Sequence, residues 1–162
     1  ESPLPGEVPE ALCERLARLK AEAPKAREGM LVLAADTIVV VDGRVLGKPA
    51  DLGESRGMLA HLQGREHEVL TGVALRWSGR TVSAVERTEV CFRPLTPGEV
   101  AAYAATGEGM DKAGSYAIQG RGALLVSGID GDYFNVVGLP LCRLGMLLES
   151  VGLSLERLWS GL

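Results

Sequence analysis

Segments with apolar residues at helical spacing alternate along this chain with segments of period two. Residues 1–9 hold three prolines and read as an extended arm. Leu12, Leu16 and Leu19 then predict a helix over about 9–23, with Lys20 next to its apolar face rather than opposite it. Residues 30–41 are apolar and β-branched, as a strand requires. Asp42-Gly43 is a strong hairpin signal, returning the chain through Val45 and Leu46. Asp51 with Glu54 three residues on predicts a helix that runs to about Gln63 and stops at Gly64. Val69, Thr71, Val73, Leu75 and Trp77 alternate as a long strand, and Ser78-Gly79 turns it into a second one through Phe92. Thr96-Pro97-Gly98-Glu99 combines an N-cap, a proline at the first helical position and a capping-box glutamate, for a helix ending near Gly107. Residues 107–122 are polar and without period. Two short strands are expected near 123–127 and 133–137. Pro140 opens a helix carrying Leu144, Leu147 and Leu148 that Gly152 ends, and Ser154 caps a last short one.

The hairpins exclude an all-parallel sheet, so the pattern predicts an α/β domain on a mixed, largely antiparallel sheet. At 162 residues and 46% hydrophobic content, residues 1–162 suffice for a single domain with a real core. Aromatics are only 4%, so aliphatic side chains must fill that core. The net charge of −4 disfavours a non-specific nucleic-acid binder. No apolar run approaches membrane-spanning length and no signal pattern is present, so a cytoplasmic protein is expected. Cys13, Cys91 and Cys142 are far apart and odd in number, and read as reduced, mostly buried thiols.

Asp36 is the first anomaly, because an ionised carboxylate is costly to bury alone in an apolar strand. It reads as a metal ligand or general base at a strand end, or else as a bulge or exposed edge position. Lys48, held between Gly47 and Pro49, could meet a phosphate as a point charge; alone it reads as a solvated turn lysine. Residues 107–122 carry five glycines, which would let backbone N–H groups converge on an anion. Asp111 and Lys112 lie side by side there; the other reading is a long flexible loop. Neither a P-loop nor a dinucleotide-binding glycine fingerprint is present. The Gln119 amide complements uracil or thymine, yet it can flip to suit cytosine, so discrimination needs a second group. Taken alone, Thr37 is an ordinary strand residue and Gln119 a loop amide. His61 and His67 have no metal-ligand partner at useful spacing and read as structural.

Five segments in series then carry a resemblance. They are Ala35-Asp36-Thr37-Ile38-Val39-Val40, Leu46-Gly47-Lys48-Pro49 and His67-Glu68-Val69-Leu70-Thr71-Gly72-Val73. Next come Asp111-Lys112-Ala113-Gly114-Ser115-Tyr116-Ala117-Ile118-Gln119-Gly120 and Asn135-Val136-Val137-Gly138-Leu139-Pro140-Leu141. Together they resemble the Maf family of nucleotide pyrophosphatases over nearly the whole chain. The resemblance implies an elongated mixed β-sheet flanked by helices around a central cleft, similar to the inosine-triphosphate pyrophosphatases. It implies metal-dependent hydrolysis, with Mg2+ or Mn2+, of a nucleoside triphosphate to a monophosphate and pyrophosphate. The Ala-Asp-Thr and Tyr-x-Ile-Gln-Gly forms look like the dTTP/UTP branch.

Carried over by that likeness, Asp36 is the general base and a metal ligand, with Glu1 a second acidic metal position. Thr37 and Gln119 select the base. Lys20, Lys48 and Lys112 meet phosphate, and Asp111 belongs to the active-site loop. The likeness also implies a homodimer. One departure is the absence of the family's opening Ser-x-Ser-x-Arg-Arg segment, so a strand and a helix at the N-terminus are expected to be missing. The alternatives are the same hydrolysis on a modified purine nucleotide such as 7-methyl-GTP, or a nucleotide-binding regulator of septum formation without relevant turnover.

Overall fold

A computed structural model describes residues 3–25 and 29–161. Five strands form one sheet: β1 (Val32–Val41), β2 (Arg44–Leu46), β3 (Glu66–Trp77), β4 (Arg80–Phe92) and β5 (Val126–Asp130), in the order β2-β1-β3-β4-β5. Each of these neighbouring pairs is antiparallel. Two hairpins set the register. Asp42-Gly43 and Ser78-Gly79 all adopt positive φ, the two-residue turn whose twist matches the flanking strands. β2 reaches only Val39, Val40 and Val41 of β1. Among the described residues, the outer edge of β1 over 32–38 therefore carries no strand.

Alternation along β1 and β3 divides the core between the two faces of the sheet. On one face lies α1 (Pro9–Glu22), whose Leu12, Cys13 and Leu16 pack on Ile38, Val40 and Leu70. On the other lie α2 (Leu52–Leu62) and α3 (Pro97–Ala105), packed on Val39, Val41, Val69, Val90 and Phe92. The predicted caps form: Asp51 accepts from the Glu54 N–H, and Thr96 and Glu99 make a reciprocal capping box. The buried stripe of α1 continues through Ala17 and Ala21, whereas Leu19 is exposed. Small residues there let the helix settle against Ala34 and Ala74.

The C-terminal third departs from the sequence pattern in two places. Residues 133–137, expected as a strand, are a helix, α4 (Tyr133–Val137). Asp132 accepts from the Phe134 N–H at its start, and Gly138, at φ 121, closes it through N–H bonds to Phe134 and Asn135 carbonyls. The strand expected at 123–127 begins later, because a 3-10 turn (Gly120–Leu124) precedes it. The helices α5 (Leu141–Ser150) and α6 (Leu155–Trp159) follow as expected. All three cysteines are free, but only Cys13 is buried; Cys91 is half-buried and Cys142 exposed.

Candidate active site

Asp36 and Thr37 are neighbours on β1 whose side chains turn to opposite faces of the sheet. The Asp36 carboxylate, 12% exposed, pairs with the Lys20 ammonium from the last turn of α1. α1 is fastened at that level by Cys13, whose Sγ lies 2.9 Å from the Asp36 carbonyl oxygen and 3.3 Å from that of Leu70. The Gly72 N–H donates to the same sulfur over 2.8 Å. Burial pushes the Cys13 thiol up to about 12, so it stays a neutral packing group. On the other face the Thr37 hydroxyl meets that of Thr71, its cross-strand partner, at 2.9 Å.

A cleft of about 340 Å³ wraps the open edge of β1 and takes its lining from both faces. Lys20 comes from α1, Asp36 and Thr37 from β1, Lys48 from the segment after β2, and Val136 and Val137 from α4. Asp111, Lys112 and Tyr116 come from residues 107–122. A backbone bond from the Gly114 N–H to the Gly47 carbonyl, 3.0 Å, joins that segment to the turn bearing Lys48. Six of the eight site residues named from sequence thus line one cleft. Gln119 is exposed and is not among the lining residues. Glu1 lies outside the described residues.

A family model described as Maf-like protein matches residues 1–151. The chain belongs to the Maf family. Among its Maf relatives, a protein of Symbiobacterium thermophilum is 55% identical over 145 residues, covering 89% of this chain and 75% of that one. One of Moorella thermoacetica is 56% identical over 147 residues, 89% of this chain and 76% of that one. One of Nitrosomonas europaea is 48% identical over 160 residues, 95% of this chain and 77% of that one. All three carry the name dTTP/UTP pyrophosphatase.

The glycine-rich segment of this Maf chain is tightly held. Its backbone N–H groups do converge on an anion, but the anion is the chain's own Glu108. That carboxylate accepts from the N–H groups of Arg121 (3.0 Å) and Gly122 (2.9 Å) and from the Tyr103 hydroxyl (2.9 Å). The Arg121 and Gly122 amides hold the Glu108 carboxyl below its usual range. The glycines serve close approach: a β-carbon on Gly109 or Gly122 would lie 2.0 Å from a backbone carbonyl oxygen. Tyr116 anchors the cleft floor through its hydroxyl, 2.7 Å from His67 Nε2, in a cluster with Phe92.

A divalent cation fits the donor set. The carboxylates of Asp36 and Asp111 both line the cleft, and Mg2+ is typically held by one or two carboxylates together with substrate phosphates. No group of three potential metal ligands occurs among the described residues. Lys112 beside Asp111 holds that carboxyl below its usual range and thus ionised. No described helix is long and apolar enough to cross a membrane.

Sequence reasoning missed Cys13, Glu108 and Asn135 as architects of this site. Gly72 and Asn135 fell inside recognised segments without a role. The Gly72–Cys13, Arg121–Glu108 and Asn135–Val69 bonds span 59, 13 and 66 positions of chain, beyond any local pattern.

Proposed function

We propose that this chain is a nucleoside triphosphate pyrophosphatase that hydrolyses dTTP and UTP to the monophosphate and pyrophosphate. The observation that carries the reading is a mostly buried carboxylate, Asp36, sharing one cleft with three lysines, Lys20, Lys48 and Lys112. The names of relatives at about half identity support the substrate pair.

Asp36 takes the proton of the attacking water as general base. Lys20, whose side chain is 41% exposed, lines the cleft beside that carboxylate and meets an arriving phosphate. Lys48 and Lys112 hold the outer phosphates in line as point charges. Attack falls on the α-phosphorus, and the pyrophosphate leaves with its developing charge countered by those ammonium groups. Asp36 and Asp111 would hold a divalent cation, Mg2+ or Mn2+, which would supply charge neutralisation of the phosphates. Thr37 and Gln119 read the base, and the Maf likeness assigns Glu1 as a further acidic metal residue. The same reading makes residues 1–162 one Maf-type domain, cytoplasmic and homodimeric.

The test is hydrolysis of each common nucleoside triphosphate with Mg2+ or Mn2+, following pyrophosphate and monophosphate. Release from dTTP and UTP that Asp36→Asn abolishes without loss of fold is the expected result. Inorganic phosphate released in place of pyrophosphate, or full turnover by Asp36→Asn, would overturn it.

A further inference from the structure

The Thr37 hydroxyl ends a chain of hydrogen bonds whose direction can be deduced. Thr37 and Thr71 oppose each other across β1 and β3, with their Oγ1 atoms 2.9 Å apart, and either oxygen could donate. Thr71 is fully buried, and its Oγ1 also lies 3.1 Å from the Asn135 carbonyl oxygen. A carbonyl only accepts, and a threonine hydroxyl has one proton to give. Thr71 therefore donates to Asn135, and Thr37 is left to donate to Thr71. The reverse direction would set two oxygen lone pairs against each other 3.1 Å apart in a dry site.

The acceptor at the end of the chain is itself pinned. The Asn135 side chain, fully buried, donates to the Val69 carbonyl over 3.0 Å and to Thr88 Oγ1 over 2.9 Å. Thr88 Oγ1 in turn donates to the Asp132 carbonyl and accepts from the Asp132 N–H. These bonds tie the start and the middle of the short helix α4 to β3 and β4, so the Asn135 carbonyl is held against Thr71.

We propose that Thr71 and Asn135 are positioning residues that commit the Thr37 proton inward. Thr37 then presents the cleft with a hydrogen-bond acceptor and favours a pyrimidine bearing a ring N–H, as uracil and thymine do, over cytosine. N3 of uracil or thymine carries a proton for that acceptor. N3 of cytosine carries a lone pair and meets it repulsively. The Gln119 amide can turn over to suit either base, whereas the threonine relay cannot, so the relay supplies a fixed polarity. The inference rests on the pyrophosphatase reading and on its assignment of Thr37 to the base.

The experiment measures kcat/KM for UTP and CTP with Mg2+ on the wild-type chain and on Thr71→Val, Thr71→Ser and Thr71→Cys, with folding followed by circular dichroism. Valine keeps the volume and removes the relay, freeing the Thr37 proton to point outward. The UTP-to-CTP ratio is expected to fall on the order of tenfold in Thr71→Val and to stay near wild type in Thr71→Ser. A folded Thr71→Val protein with the wild-type ratio overturns the relay, as does a Thr71→Ser protein that loses as much selectivity as valine. Thr71→Cys, with a weakly hydrogen-bonding thiol, replaces Thr71→Val in both comparisons if valine prevents folding. If the wild-type chain turns over neither nucleotide, the pyrophosphatase reading fails. The same ratio is then read from dissociation constants for UTP and CTP.

Discussion

A β-carbon on Gly72 would lie 2.3 Å from the carbonyl oxygen of Cys13. Gly72 faces Asp36 across the β1–β3 ladder, so this close approach of the α1 backbone to the sheet is level with the candidate base. Gly72→Ala must push α1 outward, since the obstacle is backbone and cannot rotate away. A loss of about 2 kcal/mol in stability is expected, in the range of overpacked cores. Because α1 also carries Lys20, kcat should fall as well. Urea denaturation and steady-state kinetics on the purified variant check both, and an unchanged denaturation midpoint would contradict the close approach.

His67 gives the fold a pH dependence with a defined window. Burial pulls its imidazole down from 6.5 to about 4. The unfolded chain therefore binds a proton that the folded chain refuses. No cost appears above pH 6.5; stability declines as pH falls below it and the loss is complete below about 4. The full effect is roughly 3 kcal/mol. Glu7 and Glu99, held near 2 by Arg15 and Arg93, contribute stability that is fully present above the ordinary carboxyl value of 4.5 and is lost only as pH falls from there towards 2. Urea midpoints between pH 4.5 and 7.5 should slope in the wild type and flatten in His67→Phe. A slope retained in that variant would assign the window to other groups.

Glu108 holds residues 107–122 from inside the segment. Glu108→Ala leaves the Arg121 and Gly122 amides and the Tyr103 hydroxyl without their acceptor. Amide exchange over those residues should accelerate, and KM for the nucleotide should rise more than kcat falls, because Asp111 and Lys112 lie on the loosened segment. Hydrogen exchange read by mass spectrometry distinguishes this from a general loss of stability, which would speed exchange in β3 equally.

The three thiols should separate by reactivity. Cys142 is exposed, Cys91 half-buried and Cys13 fully buried with its thiol pushed up to about 12. A disulfide reagent at pH 8 should modify Cys142 at once and Cys91 slowly. Cys13 should react only on unfolding. Rapid modification of a Cys91→Ser, Cys142→Ser double variant under native conditions would mean that α1 opens from the sheet.

Local signals in the chain carried most of the scaffold. Asp42-Gly43, Ser78-Gly79, the Asp51 cap and the Thr96–Glu99 box each act over a few residues, and each forms as expected. Asp36 was legible because a charge interrupting an apolar strand is itself a local anomaly. Residues 133–137 were not, since Val136 and Val137 suit a strand and the helix depends on Asp132 and Gly138 at its ends and on Asn135 beneath it. The glycines of 107–122 suggested a cradle for a bound anion. What they accommodate is the chain itself, and no spacing rule announces that Glu108 occupies the converging amides. Gln119 shows the complementary limit: its motif is plain, but the described cleft does not include its side chain.

Asp36 and Thr37 stand back to back on one strand, the first joined to α1 and the second to α4. On the proposed reading, the proton acceptor and the base-reading hydroxyl are thus supported from different layers of the protein, with separate residues behind each. A lineage built on this scaffold can drift towards a new nucleobase through substitutions around Thr37, Thr71 and Asn135 while Asp36 and Lys20 on the far side are left alone. For the engineer the same division means that a library confined to Thr37, Thr71 and Asn135 should yield altered preferences with Asp36 and Lys20 intact.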